Sequence, residues 1–381
     1  MMDYDGGSEY NEGGYDGDST TTIQTGGKLY TEAGYGCIFI PPLRCKTNTG
    51  DRKDGVKDKR LMLDKLMKTE YAESEYAMTK EIRKIPNWKN YFGAADQICE
   101  PAPRPKQINR NLAKCDKIED GENLSNFRIL RMPYLGKALF QFQLTKKSDF
   151  KIVPFVKQLI AAGALLNLHG LVHFDIHQGN ILVDEKYNVP RLIDFNLMVK
   201  ATRADITDRD IPKGADYTLF QEPPDANLMA DITTGRKDGG KSVTDYVRNI
   251  VKDKQILSII QIIFSISATD MRADLEEFSL KSKVVQSKNF IAWFRQYWRL
   301  IDSWAIGCNI VLLIRSLLLW DGFNKNELEE ARRLIFPVVK RMCAVSPFKR
   351  IDCVQALNMI DGDNFIIKKY GQKWLDRVGR V

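Results

Sequence analysis

Between residues 171 and 199 the chain reads LVHFDIHQGNILVDEKYNVPRLIDFNLMV, and no other stretch constrains the fold as tightly. Short apolar runs of strand-forming residues flank a polar loop that holds Asp175 and, five residues on, Asn180; a further apolar run ends on Asp194. Runs of this kind, bounded by turn residues, read as short buried strands. The pattern therefore presents a carboxylate in a tight loop, a side-chain amide behind it and a second carboxylate at a strand end. Hard oxygen donors so spaced suit Mg²⁺ and the phosphates it accompanies, which is the arrangement that metal-assisted phosphoryl transfer needs.

The chain around this stretch divides by pattern. Residues 1–27 are rich in Gly, Asp, Tyr and Ser with few aliphatic side chains, and read as a flexible acidic tail. From Lys28 the run KLYTEAGYGCIFIPPLRC alternates around a glycine pair as strand, turn and strand. Residues 47–60 read as a polar loop, Arg60 to Leu66 as a strand, and Thr69 to Ile85 as a helix stopped by Pro86. Extended segments follow around Tyr91 to Glu100 and Phe127 to Met132, and MPYLGK supplies a connector. Beyond it, Phe150 to His169 has the period of an amphipathic helix, and helical pattern dominates the rest. The expected class is α+β, with a β-rich small lobe over 28–135 and a larger, mainly helical lobe over 136–381.

These motifs resemble the eukaryotic-type protein kinase superfamily over roughly Leu29 to Leu357. His173-Phe174-Asp175 stands at the H-R-D position, Asn180 at the catalytic-loop Asn, and Asp194-Phe195-Asn196 at D-F-G. The resemblance implies a bilobal enzyme that transfers the γ-phosphoryl group of ATP to serine or threonine hydroxyls. Asp175 would accept or orient the hydroxyl proton, and Asn180 and Asp194 would hold Mg²⁺. Gly34-Tyr35-Gly36-Cys37 is similar to the glycine-rich loop, placing Gly34, Gly36 and Cys37 at the nucleotide phosphates. Lys65, on the last strand before the charged helix, takes the α/β-phosphate role, with Glu75 as first choice of helix partner and Glu81 as the other. Met132, Pro133, Tyr134 and Leu135 would form the hinge beside the base. Asp302, in DSWAIG, matches the buried aspartate that braces the catalytic loop, and Pro223-Pro224-Asp225 stands at A-P-E with Arg350 as its partner. Through GYGCIFIPPLRC, MPYLGK and PPD the chain is most similar to the predicted serine/threonine kinases of large nucleocytoplasmic DNA viruses.

Four departures from the family pattern carry expectations. Phe174 replaces the arginine that would meet a phosphorylated activation loop, so phosphate on Thr202, Thr207, Tyr217 or Thr218 gains no local cation and activity is expected without it. His177 stands where serine/threonine kinases carry Lys and where small-molecule kinases of the aminoglycoside and choline type often carry His, which makes a small-molecule kinase the alternative reading, beside a kinase-like scaffold. Asn196 replaces glycine and is expected to be tolerated because Asn enters left-handed backbone readily. Residues 226–301 read as an insertion, with helices over 252–268 and 273–298 and a flexible GRKDGGKS loop.

Composition bounds the partners. The net charge of +8 conceals a split: residues 1–27 hold six acids and no Lys or Arg, leaving 57 basic against 43 acidic residues, a balance of +14, in the remainder. A basic body suits nucleotides and protein substrates, acidic ones among them; no groove-reading motif points to nucleic acid. The seven cysteines include no C-x-x-C pair and leave one over, so reduced thiols and a cytoplasmic location (host cytoplasm or virion, for a viral chain) are expected. The three histidines fall within nine residues, but the kinase frame explains each, and a metal site there is not expected. The apolar runs 256–266 and 310–320 are too short to span a bilayer.

Overall fold

The structure is a computed structural model that describes residues 28–47, 61–107, 112–119, 121–142, 150–214, 216–234 and 242–379. The acidic tail, most of the 47–60 loop and nearly all of GRKDGGKS lie outside the described residues. The fold is mixed α+β, a small antiparallel sheet region joined to a larger helical part.

Strands β1 (Leu29–Ala33) and β2 (Gly36–Phe39) form a hairpin at the glycine pair. β2 pairs with β3 (Met62–Lys68), which starts two residues later than the pattern suggested. β4 (Gln97–Cys99) and β5 (Phe127–Pro133) complete an antiparallel sheet of order β1-β2-β3-β5-β4. Helix α1 (Thr69–Ile82) follows β3 directly and gives way to turns ahead of Pro86. Its buried residues Ala72, Glu75, Thr79 and Ile82 recur at helical spacing, so one face carries a carboxylate inward. β3 is the middle strand, and Leu63 to Met67 are all buried. The two charges among them therefore require partners, and Asp64 finds Arg131 of β5, whose guanidinium donates to both carboxylate oxygens at 2.9 Å.

The expectation of seven reduced thiols is corrected for four of them. Cys37 pairs with Cys115 and Cys45 with Cys99, closing 78 and 54 residues of chain within the core cluster of the small sheet. Such links act chiefly on the unfolded chain, at about 2–4 kcal/mol each. They join segments that meet only when the sheet forms, which local spacing does not reveal. Cys308, Cys343 and Cys353 remain free and buried, and cysteine usage no longer argues for a reducing compartment.

The connector after β5 leads to β6 (Lys137–Ala138) and α2 (Ile152–Leu168). α2 is buried on nearly every side rather than amphipathic, because α9 (Ile301–Leu318) and α12 (Cys353–Ile360) pack against it. Short strands β7 (Leu171–Val172), β8 (Ile181–Val183), β9 (Pro190–Leu192) and β10 (Val199–Lys200) pair as β6-β8-β9 and β10-β7.

Then come α3 (Pro224–Thr234), α4 (Val243–Asp253), α5 (Gln255–Phe264), α6 (Ala268–Lys281), α7 (Lys283–Gln286) and α8 (Phe290–Tyr297). The expected two long helices of 226–301 are broken into shorter ones. Ser242, Ser267 and Asn289 cap helix starts with side-chain acceptors, and Ser265 and Lys288 take left-handed backbone between helices. Helices α10 (Lys325–Leu334), α11 (Phe336–Met342) and α13 (Gln372–Val378) finish the fold.

Among the described residues, one helical stretch, Phe290–Leu318, is long and apolar enough to cross a membrane, longer than the run seen in the sequence; 83% of its apolar window is buried inside the protein. α5 and α6 reach that length only as a pair bent by 116°.

Candidate functional site

The site forms where the sheet meets the helical part, and its centre is Lys65. In β3 the side chain of Lys65 points to the face covered by α1, where Nζ lies 2.9 Å from Glu75 Oε2 and 3.0 Å from Asp194 Oδ2. Glu81 instead faces outward and pairs with Lys84 and Lys200. Burial alone would lower the Lys65 pKa, but the two carboxylates outweigh it and hold the ammonium above its ordinary value. Burial likewise works against ionised Asp194, and Lys65 overcomes it, holding that carboxyl below the usual range. Two carboxyls thus share one ammonium, and burial, with the neighbouring Asp194 charge, holds the Glu75 carboxyl above its ordinary pKa despite Lys65.

The loop from His173 to Asn180 is held by three anchors. Asp302 of α9, buried, accepts from the backbone N–H of His173 at 2.7 Å and of Phe174 at 3.1 Å. His173 Nδ1 accepts from Asp175 N–H, so its other nitrogen carries the proton and donates to Ile193 O at 2.9 Å, tying the loop to the residue before Asp194. Asn309, also on α9, donates to Ile176 O at 2.9 Å. With these constraints Phe174 (φ 68°) and Asp194 (φ 64°) adopt the left-handed region, which is costly for residues with side chains and is met mostly where surrounding contacts enforce it.

Asp175 itself is surrounded by donors. Asn180 Nδ2 donates to its carbonyl at 2.9 Å and to Oδ2 at 3.2 Å; Gln221 Nε2 donates to Oδ1 at 3.0 Å. His177 Nδ1 accepts from Gly179 N–H at 3.0 Å, so the proton-bearing Nε2 faces Asp175 Oδ2, 3.7 Å away. With its amide nitrogen committed to Asp175, Asn180 has only Oδ1 left to offer, a hard acceptor. Together with the carboxylate of Asp194, this donor set fits a Mg²⁺-type cation.

The side chains of the glycine turn are placed by the strand register. Gly36 is required by close approach: a Cβ there would lie 2.3 Å from Leu66 O. Gly34 has open space around it and leaves its side of the turn clear. Cys37, however, opposes Leu66 across the β2–β3 ladder and turns its sulfur away from Lys65 into the disulfide. The β2 residue on the Lys65 face is Ile38, which the pleat assigns only once the register is known. Met132 and Pro133 end β5, opposite Leu63 and Met62 of β3, and Tyr134 and Leu135 follow; Tyr134 N–H donates to Leu61 O, and burial followed by Tyr30 raises the Tyr134 hydroxyl above its ordinary pKa. Gly136 (φ 115°) closes the connector against β8, where any Cβ would strike Val183 O.

Asn196 is corrected too. It is not among the left-handed residues; its amide donates to Asp194 Oδ1 at 2.7 Å, so its side chain, not its backbone freedom, is what the position uses. Phe174, in place of a cation, stacks on Phe294 of α8 with centroids 5.9 Å apart. Asp225 meets Arg350 at 2.8 Å and accepts from Trp293 at 3.0 Å, all buried. The three histidines serve separate contacts. Among the described residues only Cys37, Cys115 and Asp116 group as metal ligands would, and those sulfurs are bonded to each other.

In residues 216–222 the pattern marks only Tyr217 and Thr218, as candidate phosphate acceptors, yet several bonds fix the segment. Lys254 Nζ, buried at the α4–α5 junction, donates to Leu219 O at 2.8 Å, and Trp304 Nε1 donates to Phe220 O at 2.9 Å. Burial lowers the Lys254 ammonium to about 8 and raises the Glu222 carboxyl to about 7. No protein-family model matches the chain, and no curated protein matches it significantly.

Proposed function

We propose that the chain is an ATP-dependent protein kinase that phosphorylates serine or threonine hydroxyls, with the sheet and α1 as its small lobe and the helical part as its large lobe. The observation that carries this reading is Lys65, buried between Glu75 and Asp194, with Asp175 and Asn180 on the adjoining loop. A buried ammonium held in place by acids on two other elements is a ready point charge for phosphate. Asp302 and the Asp225–Arg350 pair add support, since small-molecule kinases that share the H-x-D-x-x-x-x-N core generally lack them.

In this reading Lys65 engages the α/β-phosphates while Glu75 fixes its direction. Asn180 Oδ1 and Asp194 would hold Mg²⁺, which when bound would supply charge neutralisation on the transferred phosphoryl group. Asp175 orients the acceptor hydroxyl and takes its proton. His177 Nε2–H provides a donor on the same side. Its identity favours a small-molecule acceptor instead, and the same experiment decides between the two.

The test is transfer from γ-labelled ATP with Mg²⁺ to casein-like and basic proteins, with wild type and Asp175→Asn compared and phosphoamino acids identified. Phosphoserine or phosphothreonine that disappears in the variant is expected. ATP turnover with small alcohols or aminoglycosides but not proteins would replace this reading with the alternative.

A further inference from the structure

Asp175 has two carboxylate oxygens and they are served from different places. Oδ2 takes Asn180 of its own loop; Oδ1 takes Gln221, 46 residues away in sequence, from an irregular segment. Gln221 is buried, and its backbone neighbours are held on consecutive carbonyls. Leu219 O accepts from Lys254 and Phe220 O from Trp304, and both donor side chains are themselves buried. A buried lysine that gives a hydrogen bond to a main-chain carbonyl is costly to maintain unless the contact is needed. Lys254 lies in the 226–301 stretch, whose α8 also covers Phe174 through Phe294. That stretch therefore touches the Asp175 loop from two directions, once by an aromatic stack and once through a carbonyl, a glutamine and a carboxylate.

Resting on the kinase reading above, we infer that Gln221 is a positioning residue for Asp175, and that residues 226–301 hold it there through Lys254. The amide leaves Asp175 one preferred orientation toward the acceptor hydroxyl. This supplies, by contacts within the fold, the order in residues 219–221 for which Phe174 offers no phosphate-binding cation.

The experiment uses the full chain and four variants: Gln221→Met, which keeps volume but removes the donor, Lys254→Met, Asp175→Asn, and the Gln221→Met/Asp175→Asn double variant. Single-turnover transfer rate, KM for ATP and melting temperature are measured for each. Gln221→Met is expected to lower kcat by about 10²-fold, the scale of a small misplacement of a reacting group, with KM for ATP unchanged. Because Gln221 acts through Asp175, the double variant is expected to be no slower than Asp175→Asn alone. Lys254→Met is expected to give a smaller loss of kcat of the same kind. Wild-type kcat in Gln221→Met, or an equal further loss in the Asp175→Asn background, overturns the inference while leaving the kinase reading intact. A wild-type chain that transfers no phosphate to any acceptor overturns the kinase reading, and this inference with it.

Discussion

Two buried ion clusters in this molecule are built to opposite ends. Asp225 and Arg350 form a balanced pair, essentially without exposure, and Trp293 and Trp304 enclose it with an indole hydrogen bond and a cation–π contact at 5.1 Å. Lys65, Glu75 and Asp194 set two carboxyls against one ammonium, and the Asp194 side chain keeps 19% of its surface open. Desolvating ions is costly, so a cluster that exists to hold a fold together should be neutral and closed. One that sets two acids on a single lysine, with one acid partly uncovered at the meeting of two structural regions, has room for the cation that the kinase reading requires.

The strongest way to break this contrast is Asp194→Asn. Removing the second carboxyl leaves Lys65 and Glu75 as a balanced pair, so melting temperature is expected to hold, while phosphoryl transfer falls about 10⁴-fold, as when one member of a catalytic constellation is lost. Loss of fold along with activity would erase the distinction. Arg350→Met tests the other side. It strands the buried Asp225 carboxylate, and urea unfolding is expected to show a loss of about 3–5 kcal/mol, whereas ATP affinity of the folded fraction is unchanged.

A finer test uses Glu222, held by burial at about 7 in the folded chain against an ordinary 4.5. A carboxyl whose pKa is raised on folding binds its proton more tightly in the native state. Its contribution to stability is therefore full below about 4.5 and is lost as pH rises through about 7. Melting temperatures across that window should show wild type falling relative to Glu222→Gln as pH rises, and parallel curves would contradict the assignment.

The residues that could be read ahead of the structure are those whose placement depends on local order. Strand, glycine turn and strand at 29–39, the carboxylates and amide of the central loop, and Lys65 before a helix all follow from short-range pattern. Glu75 ranks ahead of Glu81 as the helix partner of Lys65, and the spacing of Ala72, Glu75, Thr79 and Ile82 separates an inward from an outward face. What pattern could not supply depends on register or on distant chain. Cys37 faces away from Lys65 because it opposes Leu66. The disulfides need the assembled sheet. Phe174 is explained by Phe294, 120 residues on, and a glutamine in an irregular segment carries no periodicity to mark it.

The placement of Cys37 has a consequence for chemical probes. A thiol beside a glycine turn invites electrophilic warheads carried on a nucleotide mimic, but here that sulfur is already oxidised and lies behind the strand. Lys65, which the kinase reading places at the phosphates, is kept protonated by its two acids. Acylating or sulfonylating reagents aimed at its amine should therefore react slowly, and any compound that draws Asp194 away would speed its own capture.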